Sequence, residues 1–398
     1  MEVKIAGKDG RAPLEARTIP DRRGAGHPEA RAQRLRVLMV AGGTGGHIFP
    51  ALAVAEELRE RANRRNPDGP GPNILFLGTG RGLEARLVPA AGFPLRTVVA
   101  AGLKGIRGLR WLRNLLVLPR SAIETALLLR EFQPDVVVGL GGYLAGPALL
   151  EAALQDIPTL LIEPNAVPGF TNRVLSPVVR LAAVGFAEAA TFFGAKGCLT
   201  GHAVRKAFNV VPPKPHVPPF TILILGGSQG SAAINDCLRR SLPLLAGEAR
   251  QWRFIHQTGE QDYNALRKAY QERGLTAEVH SFVDDVPEAF ARADLVISRA
   301  GATVVAELAA AGKAALLIPF PGATDQHQLE NARALERAGA ARVLPQAELT
   351  PERLVAELWE LLNHVEQLAE MERRARGLAH PDAVGQIADL IEGLAGKR

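Results

Sequence analysis

The chain has 398 residues, 47% of them hydrophobic and 22% charged, which implies two or three globular domains and excludes a disordered or fibrous chain. Its net charge of +6 favours anionic partners such as nucleotide phosphates, lipid pyrophosphates and acidic lipids, and no nucleic-acid-binding motif accompanies that charge. With only Cys198 and Cys237, far apart and outside any metal-ligand spacing, neither a disulfide framework nor a zinc site is expected.

Residues 1–34 are rich in arginine but lack the apolar core of a signal peptide, and they read as a disordered extension. No run approaches ~18 apolar residues, so no membrane-spanning helix is expected. From Leu35 onward strands and helices alternate. A strand over 35–41 runs into Gly42-Gly43-Thr44-Gly45-Gly46-His47, then into a helix whose Leu52, Val54, Ala55 and Leu58 suit one face. Strands at 73–77, 136–138, 159–162 and 182–184, with a helix near 119–131, continue the rhythm. The strand at 136–138 ends in a second glycine-rich turn, Gly139-Leu140-Gly141-Gly142-Tyr143.

Five prolines between 212 and 219 mark a semi-rigid spacer. They divide an N-terminal domain over 35–205 from a linker over 206–219 and a second domain over 220–375. Strands at 221–225, 252–256, 279–282, 294–297 and 315–318 restart the rhythm there, and a helix over 376–398 is a candidate to pack back on the first domain. The fold class is α/β, with two doubly wound, Rossmann-like domains.

Aliphatic runs that end in glycine suit buried parallel strands, whose C-terminal ends offer backbone N–H groups and a helix's positive end to an anion. The first turn is not G-x-G-x-x-G, because Ile48 replaces the third glycine, nor a P-loop, because no Gly-Lys-Ser/Thr follows. His47 sits at that strand-to-helix turn and titrates near working pH. It is the candidate general base, against the plainer role of hydrogen-bonding the loop. Gly226-Gly227-Ser228-Gln229-Gly230 is a candidate diphosphate cradle. Ser298 to Thr303 opens another helix, on which Glu307 either accepts both hydroxyls of a ribose or merely favours the helix dipole. Asp325-Gln326-His327-Gln328 and Asn331 carry donors and acceptors suited to sugar hydroxyls, or else cap a helix. A phosphate-facing loop beside a ribose-binding carboxylate describes a nucleotide site. The segment 102–121 interleaves Lys104, Arg107, Arg110 and Arg113 with Ile106, Leu109 and Trp111. That pattern either lies on an anionic bilayer or covers a core with a basic outer face.

Taken together these motifs resemble the MurG family of bacterial glycosyltransferases. The resemblance is carried by Gly42 to Pro50, Gly139 to Tyr143, Asn165-Ala166-Val167-Pro168-Gly169 with Thr171-Asn172-Arg173, Gly226 to Gly230, and Asp325 to Asn331. It implies the GT-B fold, two Rossmann-like domains facing a cleft. The implied activity is inverting transfer of N-acetylglucosamine (GlcNAc) from UDP-GlcNAc to the C4 hydroxyl of lipid I, undecaprenyl-pyrophosphoryl-MurNAc-pentapeptide. The product would be lipid II of peptidoglycan synthesis, made at the cytoplasmic face of the bacterial plasma membrane.

Position by position, the resemblance implies donor contacts by Thr44, Gly45, Gly46, Asn165, Arg205, Ser228, Gln229, Val283, Ala302, Thr303, Glu307, Gln328 and Asn331. The acceptor would meet Gly43, His47, Gly141, Gly142 and Tyr143. No cofactor is obligatory, with a divalent cation as a stimulant at most. UDP-GlcNAc, lipid I and an anionic membrane surface are the implied partners, with other cell-wall synthesis proteins as further candidates and no nucleic acid. The chain departs from the family pattern at several points. Ile162-Glu163-Pro164-Asn165 stands for His-Glu-Gln-Asn, and Gly201-His202-Ala203-Val204-Arg205 for Gly-Asn-Pro-Val-Arg. Gly301-Ala302-Thr303-Val304-Val305 stands for Gly-Ala-x-Thr-Val. The rivals are another GT-B enzyme that glycosylates a membrane lipid, a UDP-GlcNAc epimerase, and a nucleotide-sugar-binding regulator.

Overall fold

Two separate parallel sheets carry the chain in a computed structural model. It describes residues 34–398 except 43–44, 81, 99–108, 228, 249–250 and 397–398; for 45, 109–120, 143, 248 and 324 it describes the backbone alone. The first sheet holds β1 (Arg36–Val40), β2 (Asn73–Gly78), β3 (Leu95–Thr97), β4 (Val136–Gly139), β5 (Thr159–Glu163), β6 (Leu181–Val184) and β7 (Gly197–Leu199), in the order β3-β2-β1-β4-β5-β6-β7. The second holds β8 (Phe220–Leu225), β9 (Trp252–Gln257), β10 (Thr276–His280), β11 (Leu295–Ser298), β12 (Ala315–Leu317) and β13 (Ala341–Val343), in the order β10-β9-β8-β11-β12-β13. Register runs Val37 to Val136 between β1 and β4, and Ile222 to Leu295 between β8 and β11.

Strand order reverses beside β1 in one sheet and beside β8 in the other. The turns after β1, β4, β8 and β11 therefore open at the switch points, where doubly wound sheets bind ligands. Helices cover both faces of these central strands, so Val37 to Val40 and Ile222 to Ile224 are fully buried.

Elements at the edges differ from the sequence reading. The three-residue strands β3, β7 and β13 were not expected, since their partly exposed residues give no aliphatic run. Strand β10 starts at Thr276 rather than 279 and leaves Phe282 exposed outside it. The helix expected near 119–131 is Leu109–Phe132, so it includes half of the basic segment.

The proline-rich stretch is bound to the second domain along its length. The change of core falls between Ala203, in the first, and Val204, in the second; Phe208 and Val211 follow Val204. Helices Pro351–Asn363 and Val365–Gly377 stay with the second sheet. Helix Ala383–Ala395 returns to the first domain, where Ile387, Ala388, Ile391 and Leu394 join the core formed by Ile48, Leu52, Ala55 and Leu58. Arg61 holds that helix through Asp389 (2.5 Å) and the Gly385 carbonyl (2.9 Å), and Arg65 through Glu392 (2.7 Å). The two crossings touch. Gly201, at φ +78°, packs so closely on His380 that a Cβ would collide with it, and Asn209 Nδ2 donates to the Pro381 carbonyl at 3.4 Å.

Candidate active site

In the first domain the helix Gly45–Arg65 begins inside the glycine-rich turn after β1, which puts His47 on its first turn. Burial lowers the His47 pKa and nearby His327 adds to that, against a hydrogen bond with the Gly42 backbone that favours protonation. The ring is therefore neutral near pH 7 and able to accept a proton. The turn after β4 meets it: Gly142 takes φ +75°, and a Cβ there would lie 3.9 Å from His47 Cε1.

Glu163 ends β5 and shapes the loop that follows. Its buried carboxylate accepts from Asn165 N (2.9 Å), Asn165 Nδ2 (3.0 Å), Gly169 N (2.8 Å) and Asn172 Nδ2 (2.7 Å). Burial pushes its pKa up while those four donors pull it down, and burial prevails. Asn172 in turn lies against Gly141.

In the second domain Gly230 closes the candidate cradle at φ +76°, where a Cβ would overlap the Thr258 carbonyl oxygen; only glycine fits. Gln257, at the end of β9, ties the cradle to the neighbouring loop. Its Nε2 donates to the Gly227 carbonyl (2.7 Å) and its Oε1 accepts from Val283 N (2.9 Å). Arg299, just past β11, donates to Ser231 Oγ (2.7 Å), Gln346 Oε1 (2.8 Å) and the Ile318 carbonyl (3.1 Å), and lies over the Phe320 ring.

The helix Ala302–Ala311 points its N-terminus into the same region. Its first backbone bond runs from Val305 N to the Gly301 carbonyl (3.1 Å), so the N–H groups of Ala302, Thr303 and Val304 have no partner within the helix. Such a terminus attracts anions. One turn on, burial pushes the Glu307 carboxyl up to about 7, with Arg205 acting in the opposite direction from 4.0 Å. Arg205 itself lies over the Phe208 and Phe49 rings. Gln328 accepts from Phe320 N (3.0 Å) and Ala300 N (3.3 Å), which fixes its amide. The turn before it is left-handed at Asp325 (φ 52°) and Gln326 (φ 54°), and Asp325 pairs with Arg173 of the first domain at 2.8 Å.

Both halves match known domains. Residues 37–184 fit the glycosyltransferase family 28 N-terminal domain and residues 221–387 the glycosyltransferase family 28 C-terminal domain. The chain is 45% identical over 359 residues to the UDP-N-acetylglucosamine–N-acetylmuramyl-(pentapeptide) pyrophosphoryl-undecaprenol N-acetylglucosamine transferase of Myxococcus xanthus, covering 89% of this chain and 92% of that protein. The chain belongs to the MurG family. A crystal structure of MurG from Acinetobacter baumannii superposes with a TM-score of 0.73 at 34% identity, covering 90% of this chain and 99% of that one. A UDP-N-acetylglucosamine 2-epimerase from Listeria monocytogenes, 12% identical with a TM-score of 0.61 over 89% of this chain and 94% of that one, shares the fold alone. The fold is GT-B, and the chain is a UDP-GlcNAc-dependent glycosyltransferase.

Against the MurG-family expectation, the structure places the residues as follows. His47, Gly141, Gly142 and Asn165 come together on the first domain; Gln229, Val283, Ala302, Thr303, Glu307 and Gln328 lie on the loops and the helix terminus just described; and Arg205 stands between the two sets. Gly45 and Gly46 open the helix of His47. The resemblance puts Asn331 at the sugar, and in the structure its side chain bonds to protein. It is completely buried, with Oδ1 accepting from Ala166 N (2.9 Å) and Nδ2 donating to Asn165 Oδ1 (3.1 Å) and the Ala300 carbonyl (3.3 Å), so both amide hydrogens and one oxygen lone pair go to protein.

Gly43, Thr44, Ser228, Lys104, Ile106 and Arg107 lie outside the described residues, and Leu109, Arg110, Trp111, Arg113 and Tyr143 have only their backbone described. The sequence reading did not single out Glu163, Gln257 or Arg299 as functional. Each stands at or just after a strand's C-terminal end, the one signal that could have found it. Among the described residues no group of three His, Cys, Asp or Glu is placed to hold a metal, and no helix is long and apolar enough to cross a membrane.

Proposed function

We propose that the chain moves GlcNAc from UDP-GlcNAc to the C4 hydroxyl of lipid I with inversion, giving lipid II. The observation that carries this reading is the placing of His47: it stands on the first turn of its helix, a Cβ at Gly142 of the turn after β4 would lie 3.9 Å from its Cε1, and His327 of the second domain is near enough to help keep its ring neutral. In the transfer, the acceptor's C4 oxygen attacks the anomeric carbon and gives its proton to the His47 ring. The bond from that carbon to the diphosphate oxygen breaks, and UDP leaves with the electron pair. The charge that develops on UDP is met by the free N–H groups at the start of helix Ala302–Ala311 and by Arg205, fixed dipoles and charge that need no reorganisation. Metal is not obligatory in this scheme, and a divalent ion bound to UDP would supply further neutralisation.

Lipid I must be reached at a membrane. Helices Leu109–Phe132 and Gly142–Leu154 pack side by side and expose Ile123 with Leu127 and Leu150 with Leu154, two apolar i,i+4 pairs. Together with the basic residues that the sequence carries over 104–113, these pairs support docking of the first domain on an anionic bilayer, the cytoplasmic face of the plasma membrane.

UDP release with and without lipid I tests the reading. Wild type should release UDP only with the acceptor, and His47→Ala should lose about 10²–10⁴-fold in kcat. Turnover of lipid I carried in anionic vesicles should fall with added salt, whereas that of a short-chain analogue should not. UDP-GlcNAc converted without any acceptor would favour an epimerase, and transfer to another lipid alone a different GT-B enzyme.

A further inference from the structure

Two positions at which this chain leaves the family pattern meet in space. His202 stands where the pattern has Asn, and Thr303 brings a hydroxyl one position ahead of the pattern's Thr. Across a separation of 101 residues, His202 Nε2 lies 3.3 Å from Thr303 Oγ1. His202 is buried, 6% exposed, and its Nδ1 has no hydrogen-bond partner. Three residues on, Arg205 approaches Glu307 of the same helix at 4.0 Å. Thr303 and Glu307 are four residues apart and share a helix face, so the crossing segment meets the donor-side helix at two points one turn apart.

Hydrogen-bond accounting assigns the tautomer. A buried N–H without an acceptor is rarer and costlier than an unfilled lone pair. Nδ1 therefore carries the lone pair, and Nε2 carries the proton and donates it to Thr303 Oγ1. Having accepted there, the Thr303 hydroxyl directs its own hydrogen away from His202. Burial, with His47 nearby, holds the His202 pKa down to about 4, so the ring stays neutral in working conditions.

We propose that His202 is a positioning residue: its Nε2–H bond to Thr303 makes the Thr303 hydroxyl a donor to the diphosphate of the nucleotide sugar and fixes the first turn of the helix against the domain crossing. The proposal rests on the nucleotide-sugar reading above. His202 moves no proton in the transfer; it sets what Thr303 offers.

Calorimetry on the full chain with UDP and with uridine separates the diphosphate from the nucleoside. His202→Phe should weaken UDP binding about 5–10-fold, the loss of roughly one hydrogen bond, and leave uridine within about 2-fold. The double variant with Thr303→Val should bind UDP no more weakly than Thr303→Val alone. His202→Gln keeps a donor at similar reach and should retain most of the affinity, which serves if the Phe variant folds poorly. In ¹⁵N-labelled protein the His202 ring should be protonated at Nε2. Uridine falling in parallel with UDP, losses that multiply in the double variant, or a proton on Nδ1 would each overturn the role. A wild type that binds no UDP would overturn the nucleotide-sugar reading instead, and the tautomer would still judge the His202–Thr303 bond.

Discussion

Glu307 is only partly ionised at neutral pH. Its largely buried side chain has Arg205 at 4.0 Å as its one charged neighbour among the described residues, and its pKa lies at about 7 instead of 4.5. Two ribose hydroxyls would donate to the ionised carboxylate, so nucleoside binding releases a proton over that range. Uridine affinity should therefore rise from about pH 6 to about pH 8 and level off above, and Glu307→Gln should flatten the profile. Uridine is the better probe because the terminal phosphate of UDP titrates in the same window. Stability carries the opposite sign. A carboxyl whose folded pKa is raised favours the fold below the ordinary carboxylate value, and that contribution is lost as pH rises through about 7. Glu307→Gln should thus melt higher than wild type at pH 8, with the gap closing toward pH 4.5. A Gln variant that keeps the wild-type uridine profile would show that another group sets it.

The proline-rich segment shows the same logic at the level of an element. Prolines lack N–H donors and hold the chain extended, so this stretch reads as a spacer. What fixes it are the polar residues between them. Asp294, fully buried at the entrance to β11, accepts from Thr221 N (2.7 Å), from His216 Nδ1 (3.0 Å) and from Lys214. His216 Nε2 lies 3.3 Å from Glu372, which also faces the buried Lys313 at 3.5 Å. Asp294 and Glu372 push the His216 pKa up to about 9. His216 therefore stabilises the fold fully below its ordinary value near 6.5, and loses that effect as pH rises through about 9. In urea unfolding, His216→Ala should cost most below pH 6.5 and least above pH 9. Asp294→Ala should cost more, about 3–5 kcal/mol, because it strands buried cations. A His216→Ala loss independent of pH would point to packing rather than charge.

Pairings of this kind explain what the sequence could and could not reveal. Val37 to Val40 and Ile222 to Leu225 are legible because central parallel strands are buried on both faces. The glycine turns are legible because a backbone that must approach an anion needs them. Nothing local announces that Gln257 will reach Gly227, that Arg299 will reach Ser231, or that Asp294 will collect the linker. Those contacts exist only once distant strands lie side by side.

At the scale of the whole molecule, the question is what holds the two domains face to face. The chain passes between them twice, and ion pairs span the gap: Arg173 with Asp325, Arg337 with Glu188, and Lys206 with Glu60 at 2.9 Å. These pairs are partly to largely exposed, and each contributes roughly 0–1 kcal/mol. A buried contact is different. Asn331 bonds Asn165 and Ala166 of the first domain and the Ala300 carbonyl of its own, with no exposure to solvent, where an unmade bond costs most. It acts as a bolt between the domains. Asn331→Ala should open the cleft, so the radius of gyration of the free chain, measured by X-ray scattering, should increase and fall again when UDP-GlcNAc is added. Its KM for UDP-GlcNAc should rise as binding energy is diverted to closure, whereas Arg173→Ala should change the radius little. Should Asn331→Ala raise KM while leaving the free radius as it was, the residue would be a contact to the sugar and not a bolt, because only a bolt acts before the donor arrives.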